Sequence, residues 1–144
     1  MSRSNYHDDV CYDWSYIRWR GAVRSGVCSK RGQAFLRNLI DHLDAMPVKY
    51  LCSGSFKNDS GEICTLTLPL LEAGISDPID LQSLLDDVEC GDTKKIQRAL
   101  SISDALIREI MYQNDEGGPY DGETGEQRWV RMRAWVAEMI RSTS

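Results

Sequence analysis

A continuous apolar stripe in the first third of the chain constrains the fold more than any other feature. Between Lys30 and Pro47 the large apolar side chains recur every three or four positions, at Phe35, Leu36, Leu39, Ile40, Leu43 and Met46. That spacing is typical of one face of an α-helix. Ser29 can cap the helix, and Pro47 ends it. The pattern predicts an amphipathic helix that must bury one face against other elements.

A second helix is predicted immediately before it, from Ser15 to about Val27, although two glycines weaken the pattern. One helical face would carry Tyr16, Trp19, Val23 and Val27. Residues 1–14 show no such periodicity, so we expect a flexible N-terminus. Residues 15–144 are expected to form a single domain, which is long enough to enclose a hydrophobic core.

The periodicity changes after Pro47. The segments Val48–Cys52 and Ile63–Leu68 read as two strands, with turn-forming residues at 58–61 between them. In the second segment Leu66 and Leu68 alternate with threonines, as in a half-buried strand. These features predict a β-hairpin that packs on the helices, since an isolated hairpin is marginal in water.

The second half of the chain returns to helical patterns. We expect a helix from Asp77-Pro78 to Cys90-Gly91, followed by helices over Thr93–Leu100 and Ile102–Asn114. Thr124 and Gln127 have capping-box spacing and open a last helix that runs to about Arg141. The predicted class is α+β and mainly helical: two N-terminal helices, one β-hairpin and three or four C-terminal helices in a single domain.

Charge is unevenly distributed along the chain. Residues 1–49 contain 8 Lys/Arg and 5 Asp/Glu, a net of +3, whereas residues 50–144 contain 9 and 17, a net of −8. Such separation allows one molecule to present two electrostatically different surfaces, which favours binding of macromolecules over small-molecule chemistry. The total of −5 argues against binding of the whole surface to nucleic acid.

The N-terminal helices supply the first candidate binding site. Basic side chains interleave there with Trp14, Tyr16 and Trp19, a combination that can grip phosphates and stack on bases. The candidates are Arg18, Arg20, Arg24, Lys30, Arg31 and Arg37. The alternative is a core role for the aromatics, with the arginines forming a solvated helix face or pairing with the acidic half of the chain.

The acidic run from Asp59 to Asp92 is the second candidate. From residue 58 to 93 there are nine Asp/Glu and no Lys or Arg. Repeated carboxylates create a negative field that can compete for a basic protein surface as DNA does. Asp86, Asp87 and Glu89 are the proposed contact residues. The alternative is a role in solubility and helix capping.

No catalytic, metal or cofactor site is predicted. Signature motifs of nucleotide-binding folds, hydrolases and zinc proteases are absent from the sequence. The acidic loop from Asp115 to Glu123 has oxygen ligands but does not fit the EF-hand spacing, so a plain loop is favoured. The five cysteines form no C-x-x-C pair and are expected to be free thiols, with an unfamiliar thiol enzyme as the alternative.

Large side chains in the last helix have two interpretations. As core they would stabilise the fold by packing, which is the favoured reading. As an exposed stripe they would form a partner groove rimmed by arginines. The residues concerned are Trp129, Met132, Trp135 and Met139.

The chain has no apolar run near the ~20 residues that a membrane span needs. Its N-terminus lacks the apolar core of a signal peptide. We therefore expect a cytoplasmic protein without membrane contact.

Four segments resemble a group of small proteins of tailed bacteriophages and prophages: residues 18–23 (RWRGAV), 30–36 (KRGQAFL), 109–116 (EIMYQNDE) and 128–136 (RWVRMRAWV). The resemblance covers most of the chain. It implies a bacterial cytoplasm during infection or lysogeny, and it transfers no functional residues because the group has no established activity.

The expected function is that of a non-enzymatic phage accessory protein that binds a host protein or ribonucleoprotein complex. Its most concrete form is an inhibitor of a nucleic-acid-targeting defence complex, of the anti-CRISPR kind. The alternative is a nucleic-acid-binding module that uses the basic N-terminal helices. The oligomeric state is left open.

Overall fold

The computed structural model describes residues 3–4, 14–119 and 122–141, without the side chains of residues 14–16 and 141. Within these ranges the chain forms seven helices: α1 (Trp14–Cys28), α2 (Lys30–Ala45), α3 (Thr67–Glu72), α4 (Pro78–Glu89), α5 (Lys94–Leu100), α6 (Asp104–Glu116) and α7 (Gly125–Arg141). None of these described helices is long and apolar enough to cross a membrane.

The first two helices confirm the prediction and meet at a tight corner. Ser29 is the N-cap of α2, and its hydroxyl accepts a hydrogen bond from the Gly32 amide at 2.9 Å and donates one to the Gly26 carbonyl at 2.9 Å. A β-carbon at Gly32 would lie 1.9 Å from the Gly26 carbonyl oxygen. Only glycine at position 32 therefore permits this approach of the two backbones.

The core forms where α2 packs against α1, α3 and α7, and α6 against α1, α5 and α7. Leu36, Leu39 and Leu43 of α2 are fully buried, as predicted from the stripe. Met132 of α7 is also fully buried, and the indole of Trp129 donates a hydrogen bond to the Leu43 carbonyl at 3.1 Å. The favoured core reading of the last helix is therefore confirmed for these residues.

The predicted β-hairpin is wrong, and with it the α+β class. The described residues contain no β-strand, only an isolated antiparallel bridge between Lys57 and Ile63. Residues 48–52 are a loop, and of the second predicted strand only Thr67 and Leu68 are helical, as the start of α3. The described part of the chain is a single helical domain.

Side chains from elsewhere in the fold explain why no ladder forms. Asn114 of α6 donates a hydrogen bond to the Cys52 carbonyl at 2.9 Å and accepts one from the Thr65 amide at 3.1 Å. The Thr67 hydroxyl donates to the Phe56 carbonyl at 2.6 Å. The two segments share one backbone hydrogen bond, from the Cys52 amide to the Ile63 carbonyl at 2.8 Å. Because buried backbone groups need only some partner, Asn114 satisfies the Cys52 carbonyl and the Thr65 amide without a strand ladder.

The C-terminal helices begin close to the predicted positions. Asp77 caps α4 and precedes Pro78, and the predicted capping box opens α7. The Thr124 amide donates to the Gln127 side chain at 2.9 Å, and the Gln127 amide donates to the Thr124 hydroxyl at 3.1 Å. The α6 helix starts two residues later than expected because Ser103 is its N-cap.

Candidate macromolecule-binding surfaces

All six predicted basic side chains of α1 and α2 are exposed, but one of them is held by the protein itself. Arg20 donates a hydrogen bond to the Glu109 carboxylate at 3.1 Å. The Glu109 side chain is only 3% exposed. The Arg20 guanidinium also lies 5.2 Å from the ring centre of Trp19. Arg20 therefore neutralises a buried acid of α6 and is a structural residue.

The other five form no ion pair with any residue that the structure describes. We call this set the basic face: Arg18, Arg24, Lys30, Arg31 and Arg37. It includes residues from both helices of the α1–α2 corner. The alternative of pairing with the acidic half is met by Arg20 and Glu109, and the other five side chains match the alternative of a solvated helix face.

Five described arginines outside α1 and α2 bond to acidic side chains of the protein. Arg128 and Arg131 both contact the Glu123 carboxylate, at 3.3 and 2.5 Å, and Arg133 forms a two-point bond with Asp44. Similar internal bonds involve Arg3 and Arg108. The positive charge of the molecule thus divides into side chains that hold the fold together and side chains that face solvent.

Arg98 belongs with the solvent-facing group, although the sequence pattern does not mark it as a candidate binding residue. It lies in the last turn of α5, is exposed, and forms no ion pair with the described residues. It lines the same groove as Arg31. Nothing near Arg98 in the sequence signals this neighbour, because the two residues are far apart along the chain and meet only through the packing of α5 beside the α1–α2 corner.

The aromatic part of the first candidate site is only partly visible. Trp19 is half-buried and packs against the core. The side chains of Trp14 and Tyr16 lie outside the described residues. Stacking of bases on these aromatics stays a prediction.

The acidic candidates have mixed surroundings. Asp86 is exposed and accepts a hydrogen bond from Gln82 at 3.0 Å, and Asp87 is half-buried with a carboxylate oxygen 3.2 Å from the Lys95 amine. Glu89 is exposed and has no ion pair with a described residue. Capping bonds occupy Asp77 and Asp92, as the alternative reading expected. Asp86 and Glu89 therefore remain exposed on α4 without an ion pair to a described residue.

The acidic stretch from Asp115, in the last turn of α6, to Glu123 is bound by arginines. Arg3, 2% exposed, donates to both carboxylate oxygens of Asp115 at 2.7 and 2.6 Å and lies 5.1 Å from the ring centre of Phe56. Glu123 is held by Arg128 and Arg131. Within the described ranges, no group of three or more His, Cys, Asp or Glu is placed to hold a metal ion.

Asp115 makes the stability of the fold dependent on pH. Burial alone would raise its pKa, but the hydrogen bonds and charge of Arg3 outweigh burial and hold the pKa below its usual range. The Arg3–Asp115 pair therefore contributes stability above about pH 4, and this contribution is lost as the pH falls through the lowered folded-state pKa.

Replacing Asp115 with asparagine is expected to remove this acid dependence. At pH 7 Asp115→Asn should unfold at lower urea, with a cost of about 1–3 kcal/mol, because Arg3 loses its buried counter-charge. Between pH 6 and pH 3 the difference from wild type should shrink. Urea unfolding of both proteins at each pH measures this, and a constant difference over that range would contradict the prediction.

The four described cysteines divide by exposure. Cys28 and Cys90 are exposed, whereas Cys52 and Cys64 are buried. Burial raises the pKa of Cys52 to about 11. A thiol with that pKa is almost entirely protonated at neutral pH and is a poor nucleophile.

Alkylation of the native protein with iodoacetamide should therefore modify Cys28 and Cys90 rapidly and spare Cys52 and Cys64. Peptide mass spectrometry at successive times distinguishes the four sites. Equal rates in 6 M urea, where burial is lost, serve as the control. Fast native labelling of Cys52 would contradict the buried, protonated thiol and would reopen the thiol-enzyme alternative.

No protein-family model, curated protein or solved structure matches the chain. The resemblance to phage proteins stays a prediction.

Proposed function

We propose that this protein is a non-enzymatic binding protein whose basic face contacts the phosphates of a nucleic acid. The observation that carries the proposal is the division of the arginines. Arg3, Arg108, Arg128, Arg131 and Arg133 are bonded internally, whereas Arg18, Arg24, Arg31 and Arg37 are exposed without an ion pair among the described residues. Exposed guanidinium groups without an ion pair are available to donate hydrogen bonds to phosphate oxygens.

The electrostatic setting supports a local site. The chain carries a net charge of −5, so its surface as a whole repels nucleic acid. A partner must then approach through the α1–α2 corner, where cations from two helices lie on the solvent side. Within this face Asp41 stands four residues after Arg37, but the two form no ion pair. Binding of this kind releases counterions and weakens steeply with salt.

The test is the salt dependence of binding to a labelled oligonucleotide, followed by fluorescence anisotropy. The double variant Arg18→Ala/Arg24→Ala should weaken binding on every base sequence and reduce the slope of log K against log salt by about 2. The matched control is Lys95→Ala/Arg133→Ala, which removes the same charge from two residues that already have acidic partners, Asp87 and Asp44.

The outcomes separate clearly. The proposal is supported if the control double variant keeps the wild-type salt slope and Arg18→Ala/Arg24→Ala reduces it. Failure of the wild-type protein to bind single-stranded DNA, duplex DNA and RNA at low salt would overturn it. Arg20 is unsuitable for this experiment, because its removal leaves the buried Glu109 without its cation.

A second candidate function rests on the outer side of α4. Asp80, Asp86 and Glu89 are exposed there without an ion pair to a described residue, and Ile79 at the start of the same helix is 78% exposed. An acidic surface that also carries an exposed apolar side chain suits a basic protein partner. In the bacterial cytoplasm implied by the phage resemblance, that partner is a host nucleic-acid-targeting defence complex, and the protein is its anti-CRISPR-type inhibitor.

Phage plaque assays in hosts with several CRISPR types test this second candidate. Protection of phage by the wild-type protein should be lost in Asp86→Lys/Glu89→Lys. The control Asp59→Lys/Glu138→Lys makes the same charge change at two exposed acids outside α4 and should keep protection. Absence of protection by the wild-type protein against every type would overturn the inhibitor role.

A further inference from the structure

A groove runs between the α1–α2 corner and the turn that joins α5 to α6. Its walls include Ser25 at the end of α1, Arg31 in α2, Arg98 in α5 and Ser101 in the turn. Its volume is about 850 Å³, within the range of small-molecule sites, so it has room for a nucleotide as well as for a free ion. It is the place where two of the unpaired arginines lie beside one cavity.

The charge of this groove is positive. Arg31 and Arg98 form no ion pair with any residue in the described ranges. The groove also contains Asp104, but that carboxylate accepts hydrogen bonds from the Arg108 guanidinium at 2.9 Å and the Thr93 hydroxyl at 2.5 Å. Because Arg108 neutralises Asp104, the two guanidinium groups keep an uncompensated charge of +2 along the walls.

Hydroxyl donors complete the lining. Ser25 and Ser101 are exposed, and their hydroxyls make no hydrogen bond with a described residue. The first turn of α2, which carries Arg31, contains no acidic residue, so the positive end of that helix adds to the field of the arginines. Two guanidinium groups and two free hydroxyls are the donors that phosphate oxygens accept from.

We propose that this groove binds a phosphodiester group of a nucleic-acid strand, with Arg31 and Arg98 donating to its oxygens from two different helices. The proposal rests on the proposed function and deepens it, because it extends the contact surface from the basic face of α1 and α2 to α5. It assigns to Arg98 a direct contact with the backbone of the strand.

The experiment compares Arg98→Ala with Lys94→Ala in the anisotropy assay. Both residues are exposed cations of the same helix, but Lys94 does not line the groove. Arg98→Ala should reduce the salt slope by about 0.7 to 0.9 and weaken binding about five- to tenfold near 0.1 M salt, as loss of one phosphate contact requires. Lys94→Ala should change binding less than about twofold. Thermal unfolding of each variant checks that both fold.

Each outcome bears on a different claim. If the wild-type protein binds with a salt slope and Arg98→Ala behaves like Lys94→Ala, the groove assignment is overturned and the basic face of α1 and α2 stands. If the wild-type protein does not bind any oligonucleotide, the proposed function fails first. A parallel titration with inorganic phosphate separates a free phosphate ligand from a nucleic-acid strand. If Arg98→Ala abolishes phosphate binding but leaves the salt slope of oligonucleotide binding unchanged, the nucleic-acid assignment of the groove is also overturned.

Discussion

Asn114→Ala is expected to lower the free energy of unfolding by about 3–5 kcal/mol, since each buried polar group left without a partner costs about 1–3 kcal/mol. The Asn114 side chain is 1% exposed. It donates to the Cys52 carbonyl and accepts from the Thr65 amide and hydroxyl at 3.1 and 2.7 Å. Alanine leaves all three groups buried and unbonded, in the loop that the sequence predicts as a hairpin.

Urea unfolding followed by circular dichroism measures this loss. The matched control is Asn38→Ala, in which the same residue type is exposed and bonded only to Glu72. The control should change stability by less than about 0.5 kcal/mol. An Asn114→Ala protein with a midpoint close to that of the control would show that water or a rearranged loop replaces the amide, and would contradict the proposed role.

Gly32→Ala is expected to destabilise the protein by about 3 kcal/mol or more, at the upper end of overpacking costs. The added β-carbon would lie 1.9 Å from the backbone oxygen of Gly26 and 3.0 Å from the Ser29 hydroxyl. Neither neighbour is the flexible end of a long side chain, so the helices themselves must separate. Because α2 carries the central stripe of the core, that separation disturbs its contacts with α1 first.

Gly21→Ala is the control, and its expected effect on stability has the opposite sign. Gly21 also lies within a helix, but a β-carbon there would have no atom within 4 Å. Alanine should therefore stabilise α1 by up to about 1 kcal/mol, the difference in helix propensity. Thermal unfolding of the two variants should show shifts in opposite directions. If both variants destabilised the protein to a similar degree, the close contact at the α1–α2 corner would not be the cause of the Gly32→Ala effect.

Local sequence patterns predict the helices of this fold because the determinants of those helices are local. Ser29 and Asp77 each bond to an amide two or three residues away, and Thr124 and Gln127 bond to each other. The hairpin prediction fails for the opposite reason. The Cys52 carbonyl and the Thr65 amide are satisfied by Asn114, which is about fifty residues distant in sequence from Thr65 and cannot be inferred from alternation of Leu and Thr.

The same distinction applies to the candidate site. Exposure of the basic side chains follows from helical periodicity, since they fall outside the apolar stripes of α1 and α2. The pairing of Arg20 with Glu109 and the position of Arg98 beside Arg31 depend on how distant helices pack. Buried Arg3 is a further case, because its partner Asp115 lies at the far end of α6.

Close contact at the α1–α2 corner has a consequence for selectivity. Where two helices touch backbone to backbone, their relative orientation has little freedom. The Cα positions of the basic face are then held at fixed mutual distances, so a partner orders the side chains but not the helices that carry them. A rigid lattice of phosphates with matching spacing gains from such preorganisation, whereas a flexible polyanion must itself become ordered to match it. Competition between duplexes and unstructured polyanions of equal charge would reveal the difference.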